Sequence, residues 1–290
     1  MGVKIFDGSL DDLGGGVMKE NTDQEQALED AVALKKEEEK HLEQNHGLRV
    51  ALRPIKALNI MRVEVPDEIV DEINTHIDTV IIPANKSYAD GLVGQLKNDE
   101  KSAQLEFPLD DEVGETVTTI LNQIGTSYLR SAYQRDAKAE LYNCWTNHAY
   151  AGDYNPYHDH GVQTMAGLSG FLWLKVPDCI KKLDGENLTI NGASGAVDGF
   201  THLIWGTNTR KDILQLKPQT EDYVKPEEGV MLIFPNWLKH QVLPFFGEGE
   251  RRSMAFNWNV RDSERELKKY MSDNEKEKYE QSKRDSVQVQ

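Results

Sequence analysis

Cys144–Val176 reads CWTNHAYAGDYNPYHDHGVQTMAGLSGFLWLKV, and its pattern decides the fold. Its end, Gly170–Val176, is a short aromatic and β-branched run bounded by Gly and Pro, which is strand chemistry. Ahead of it stand His158 and His160, separated by one residue. Side chains on a strand repeat every two residues, so both imidazoles are expected on one side and Asp159 on the other. A second stretch, Met231–Val260, MLIFPNWLKHQVLPFFGEGERRSMAFNWNV, adds His240 and then Arg251-Arg252-Ser253. Two imidazoles from one strand face and a third from a distant strand form an open transition-metal site in a cupin-like or jelly-roll barrel.

The last strand sorts its residues by face. Arg252, Met254, Phe256, Trp258 and Val260 share a side that reads as core, and Arg251, Ser253, Ala255, Asn257 and Asn259 share the other. A solvent-facing side is the plain reading of that second set. The sharper reading uses Arg251 with Ser253: a guanidinium fork and a hydroxyl two residues on suit a carboxylate. His148 and His202 read as spare histidines and His76 as a surface residue. Trp145, Trp173, Trp237 and Trp258 read as barrel packing, with Trp237 placed to wall the site.

Outward from these stretches, strands are expected at Ala139–Trp145, Gly229–Phe234 and Arg252–Val260. Helices precede them. Ile69, Ile73 and Ile77 recur at helical spacing after Pro66, and Val113, Val117, Ile120 and Ile124 make a second stripe flanked by Leu121 and Tyr128. Helices first and strands later predict an α+β fold with a mainly antiparallel sheet and the helices on its outside. Residues 1–48 read as a polar, acidic extension, with a thin helical stripe in 23–45. Residues 49–262 read as the main domain, 178–226 as a substrate or lid excursion inside it, and 263–290 as a charged tail that begins as a short helix.

Composition narrows the function. The 290 residues carry 33 Lys and Arg against 49 Asp and Glu, a formal charge of −16, which disfavours nucleic acid and anionic lipid as partners. Two cysteines, Cys144 and Cys179, form no framework and fit a reducing compartment. The opening residues do not read as a secretory signal, Phe6 stands where a myristoylation signal wants Ser or Thr, and no apolar run has membrane-spanning length. A cytoplasmic protein is expected.

CWTN, GDYNPYHDH, LSGFLWLKVP, LIFPNWLKHQVLPF and GERRSMAFNWN, in that order, resemble the prolyl-hydroxylase-like 2-oxoglutarate/Fe(II) oxygenase family found in bacteria and T4-like cyanobacterial phages. GLVGQLKNDEKSAQLEF upstream is similar too, so the resemblance covers roughly residues 55–260. It implies a double-stranded β-helix with flanking N-terminal helices, and His158, His160 and His240 in the metal-ligand positions. It also implies Fe(II) as the metal, 2-oxoglutarate held by Arg251 and Ser253, and O₂ with a small molecule or protein side chain as reactants. A phage-encoded member would work in the host cytoplasm. The pattern departs from the family where His160 stands in place of a strand carboxylate, and where 178–226 exceeds the family's shorter connection. The first departure leaves Asp159 as an alternative ligand. It also keeps two rivals open: a non-catalytic metal- or ligand-binding jelly roll, and a three-histidine cupin dioxygenase that uses no 2-oxoglutarate.

Overall fold

Alternating apolar runs dominate the second half of the chain, and they form two antiparallel sheets. The computed structural model describes residues 58–91, 103–181 and 195–287. The helical stripe expected in 23–45 and the stretch 49–57 lie outside the described residues. In chain order the strands are β1 (Met61–Glu64), β2 (Gln104–Glu106), β3 (Ala137–Ala149), β4 (Asn155–His158), β5 (Gly167–Lys175), β6 (Thr201–Ile204), β7 (Glu221–Val224), β8 (Val230–Pro235), β9 (Lys239–Val242) and β10 (Arg251–Asp262). One sheet has the order β1-β8-β5-β10-β3-β2, the other β4-β9-β6-β7. From β3 onward the chain alternates between the sheets, staying in the smaller one only for the β6–β7 pair. That winding is a double-stranded β-helix, the jelly roll the resemblance implied.

Two helices cover the outer face of the larger sheet. α1 (Asp67–His76) buries Val70 and Ile73, and continues through a wider turn at Ile77–Ile81 that buries Ile77 and Ile81. The buried stripe is therefore shifted from the expected one, and Ile69 sits at its edge. α2 (Glu112–Tyr133) starts where the Asp111 carboxylate accepts the Gly114 N–H at 2.7 Å and stops at Gln134, whose φ of 50° is left-handed. Its centre is Leu121 and Tyr128 rather than Val113 and Ile120, which lie at the margin. Gly125 explains the rotation. A Cβ there would meet the Ala139 Cβ at 2.7 Å and the Trp258 ring at 3.2 Å, so the helix approaches the sheet most closely along this line. Leu121, Ile124, Leu172, Met231, Met254, Phe256 and Trp258 share one cluster beneath it. Each such side chain contributes about 1.5–3 kcal/mol by leaving water.

Three expectations change. The span 178–226 carries, besides the short helix α3 (Asp178–Lys181), half of the smaller sheet: β6 and β7 lie inside it. These strands are four residues each and carry His202, Glu221 and Tyr223, so their alternation is too short and too polar to read. The tail holds two helices, α4 (Glu264–Lys268), capped by Ser263, and α5 (Asp273–Val287), joined by the ion pairs Lys268–Glu280 and Lys283–Glu264. Trp237 neither joins the core nor lines the cavity: it is 51% exposed in the β8–β9 turn.

Candidate active site

Register brings the histidines together. β4 pairs with β9 so that His158 lies opposite His240. His160 is not on the strand, as the period-two argument expected; β4 ends at His158. The loop holds it instead. Its N–H donates to the Asn236 carbonyl at 3.1 Å, and the Asn236 side chain donates back to its carbonyl at 2.8 Å. The ring centroids stand 4.3 Å (His158–His240), 5.2 Å (His158–His160) and 5.1 Å (His160–His240) apart, and one nitrogen from each lies within 4.8 Å of the others.

Each imidazole is oriented from behind. Nδ1 of His158 meets the Pro156 carbonyl at 2.7 Å, Nδ1 of His240 the Leu238 carbonyl at 3.0 Å, and Nδ1 of His160 the Asn257 Oδ1 at 2.8 Å. Carbonyl oxygens only accept, so the proton resides on Nδ1 and each Nε2 carries a lone pair, which for His158 has the Asn155 amide 3.5 Å away. Nε2 of His160 is buried with no partner. Burial pushes all three imidazoles down, His160 to about 4 and His240 well below the ordinary value, reinforced for these two by neighbouring imidazoles. Three neutral rings whose nitrogens converge, with the His160 lone pair unpartnered, fit a divalent transition metal. Asp159 is exposed and is not one of the group, which leaves the set without a carboxylate.

The same cavity, about 770 Å³, is lined by Arg251 and Ser253. Arg251 is buried. Its Nη2 donates to Thr201 Oγ1 at 3.1 Å, but its Nε has no partner, and burial lowers its pKa to about 10. A buried guanidinium without a counter-charge among the described residues is costly, and such a wall suits an anion. Ser253 is buried beside it and accepts from Asn147 Nδ2 at 3.3 Å. Trp173, opposite Ser253 in the β5–β10 register, has a buried indole N–H with no partner. The face of β10 that had a solvent-facing reading is thus cavity wall from Arg251 to Asn257: Arg251, Ser253, Ala255 and Asn257 all line it. Phe171 and Phe234 bring the larger sheet against His240, at centroid distances of 6.4 and 5.3 Å.

Toward the mouth, Tyr88, Trp145 and His160 stack in a row, with centroids 5.3 and 5.7 Å apart and interplanar angles of 17° and 22°. The β3–β10 register skips Tyr142, and this bulge turns both Tyr142 and Asn143 into the cavity.

The other described histidines lie elsewhere. His148 is buried between Glu250 Oε1, at 2.6 Å from Nδ1, and Thr146. His202 bonds Tyr157 and Glu221 and stacks on Tyr223 at 3.9 Å. His76 is not a free surface residue; its side chain is largely covered and reaches Asp111 at 3.1 Å.

Comparison with known proteins bears directly on this site. Residues 143–257 match the family described as "Putative 2OG-Fe(II) oxygenase". The chain carries a 2-oxoglutarate/Fe(II) oxygenase domain. The match runs from Asn143, at the mouth, to Asn257, behind His160, and spans the histidine triplet and the Arg251 wall. The oxygenase domain is thus an Fe(II)- and 2-oxoglutarate-dependent enzyme that takes O₂ and a second substrate. No curated protein matches the chain. Solved structures similar to it include a Pseudomonas putida prolyl-4-hydroxylase (14% identity, 71% of this chain and 93% of that one, TM-score 0.42). Others are the viral collagen prolyl hydroxylase of Paramecium Bursaria Chlorella virus-1 with 2-oxoglutarate (18%, 70% and 96%, 0.41) and Streptomyces hygroscopicus HygX with nickel and 2-oxoglutarate (11%, 70% and 83%, 0.43). Likeness at this level decides nothing about the site.

Several wall residues escaped the sequence reading. Thr201 lies in an unread strand, and Asn257 was assigned to a face but given no task. Its signal was available: an amide on the same strand face as Arg251 and Ser253.

Proposed function

We propose that His158, His160 and His240 hold the Fe(II) through Nε2, and that Arg251 with Ser253 grips the distal carboxylate of 2-oxoglutarate. With O₂, iron and 2-oxoglutarate supply the oxidising power that hydroxylates a C–H bond, leaving succinate and CO₂. The protein positions and shields. Pro156, Leu238 and Asn257 keep the imidazoles in one tautomer, and burial keeps them neutral and ready to ligate at neutral pH. Phe171, Phe234 and Trp173 keep water from the floor of the cavity, and the Tyr88–Trp145 stack at its mouth is left for the substrate. A neutral ligand set offsets less of the metal's charge than one with a carboxylate, so Fe(II) is bound less tightly than by two histidines and an acid.

The observation that carries this reading is Arg251: a buried cation, lacking an acidic partner among the described residues, in the cavity lined by the three histidines. A non-catalytic barrel gives that cation no purpose. The oxygenase domain is taken as 49–262, with 1–48 as an extension, 263–290 as an appended tail, and substrate choice in the 178–226 span. The two free cysteines support a reducing, cytoplasmic setting. Among the described residues, no helix is long and apolar enough to cross a membrane.

The test is an anaerobic titration of Fe(II)-loaded protein with 2-oxoglutarate, following the visible metal-to-ligand charge-transfer band. The band should form, and His160→Ala should abolish it. Metal binding without a band would remove 2-oxoglutarate from the site. Absence of metal binding would remove the histidine assignment.

A further inference from the structure

His160 differs from its two partners in what stands behind it. Main-chain carbonyls, fixed by the backbone, hold the Nδ1 protons of His158 and His240. The acceptor for His160 is a side chain, Asn257 Oδ1, from the centre of β10. An amide can present either an oxygen or an NH₂, so something must fix which end faces the imidazole.

Three neighbours match the orientation in which Oδ1 faces the imidazole. Ser169 Oγ, buried on β5 opposite Asn257, donates to the same Oδ1 at 2.7 Å. On the other side Asn257 Nδ2 donates to Asn143 Oδ1 at 3.0 Å, and Asn143 Nδ2 donates to the Tyr88 hydroxyl at 2.7 Å. Every bond in this chain has the same sense, from His160 inward and from Asn257 out to Tyr88. Asn257 itself is 4% exposed, so water does not compete for it.

We infer that Asn257 is the positioning residue of the metal site: it holds His160 in the Nδ1–H tautomer so that Nε2 presents its lone pair to the metal. Because His160 sits on a loop rather than a strand, this side-chain bond does for it what backbone geometry does for its partners. The inference rests on the proposed ligand set. A group behind a metal-binding imidazole typically changes metal affinity about 10–100-fold when it is lost.

The test uses Co(II) as the probe, bound anaerobically to the full chain, with Asn257→Leu and Asn257→Asp. The readouts are Co(II) affinity and the exchangeable, paramagnetically shifted imidazole N–H resonances. Wild type should show three such resonances. Asn257→Leu should lose one to fast exchange and bind Co(II) about 10–100-fold more weakly. Asn257→Asp retains the acceptor and adds charge, so it should keep three resonances, shift the third and bind more tightly than wild type. Wild-type affinity and all three resonances in Asn257→Leu would overturn the inference. If Asn257→Leu does not fold, Asn257→Asp decides: an unmoved third resonance and unchanged affinity would overturn it, and a shifted resonance with tighter binding would support it. Wild-type protein that binds no Co(II), or binds it equally after His240→Ala, would defeat the ligand set itself. Loss of binding in His160→Ala with indifference to Asn257 would defeat this inference alone.

Discussion

Replacing Arg251 by Met should make the ligand-free protein more stable and nearly blind to 2-oxoglutarate. The guanidinium is fully enclosed, and its pKa is lowered from 12.5 to about 10 by burial alone. At about 1.4 kcal/mol per tenfold, that lowering corresponds to about 3 kcal/mol against the charged form at neutral pH. Met fills similar space without the charge, at the loss of one hydrogen bond to Thr201 worth about 1 kcal/mol. The net gain is about 2 kcal/mol, or a Tm rise of about 4–8 °C for a domain of this size. The ligand responds in the opposite sense. Losing a buried, charge-assisted grip costs about 2–5 kcal/mol, a fall of roughly 30-fold to several thousand-fold in affinity. Thermal denaturation of the Ni(II)-loaded protein, with and without 2-oxoglutarate, reads both effects. At 100 times its Kd the ligand should stabilise wild type by about 2.7 kcal/mol, and at the same concentration it should stabilise Arg251→Met by less than about 1 kcal/mol. A variant that is less stable when ligand-free, yet gains as much as wild type from 2-oxoglutarate, would refute the reasoning.

Other expectations follow from neighbouring features. Trp173→Phe keeps an aromatic side chain, smaller than the indole, and deletes the unpartnered N–H; 2-oxoglutarate binding should weaken by about tenfold while binding of 2-oxovalerate, which lacks the distal carboxylate, is unchanged, as competition titrations would show. For Glu250, burial raises the carboxyl pKa, but the His148 and Arg252 bonds outweigh it and hold the group at about 2. A depressed acid contributes stability above its unfolded value, about 4.5, and loses it as pH falls toward 2. Chemical denaturation across that window should show wild type losing up to about 3 kcal/mol and Glu250→Gln losing distinctly less. Gly125→Ala drives a methyl into Ala139 and Trp258 and should destabilise by about 1–3 kcal/mol, measured by urea unfolding, while leaving metal affinity intact.

Much of this was legible because chemistry and period coincided. His158-x-His160 and Arg251-x-Ser253 are spaced for one face, and the apolar strands of the larger sheet announce themselves by Trp, Phe and Leu. The smaller sheet was not legible: THLI and EDYV are too short for a period, and their identity as strands comes from pairing, THLI with KHQV on one side and with EDYV on the other. The side of α2 that turns inward was set by a glycine, and apolar residues alone could not show it. His160 illustrates the limit best. Spacing placed it on a strand, while the backbone leaves the strand at His158 and a distant amide and Asn236 restore the imidazole to the group.

Arg251 and Arg252 are adjacent in the chain and live in opposite worlds. One stands alone in the cavity wall, and the other is clasped outside the sheet by Glu250, Asp78 and Asn74. A one-residue slip of β10 would exchange them, so a guanidinium would still face the cavity, but Phe256 or Trp258 would stand where Asn257 does and the amides would be driven into the apolar cluster. Each stranded amide would cost about 1–3 kcal/mol. Length variation in relatives or designed variants must therefore fall in the loop before Arg251 or after Asp262. Within β10 the ruler admits no change of scale.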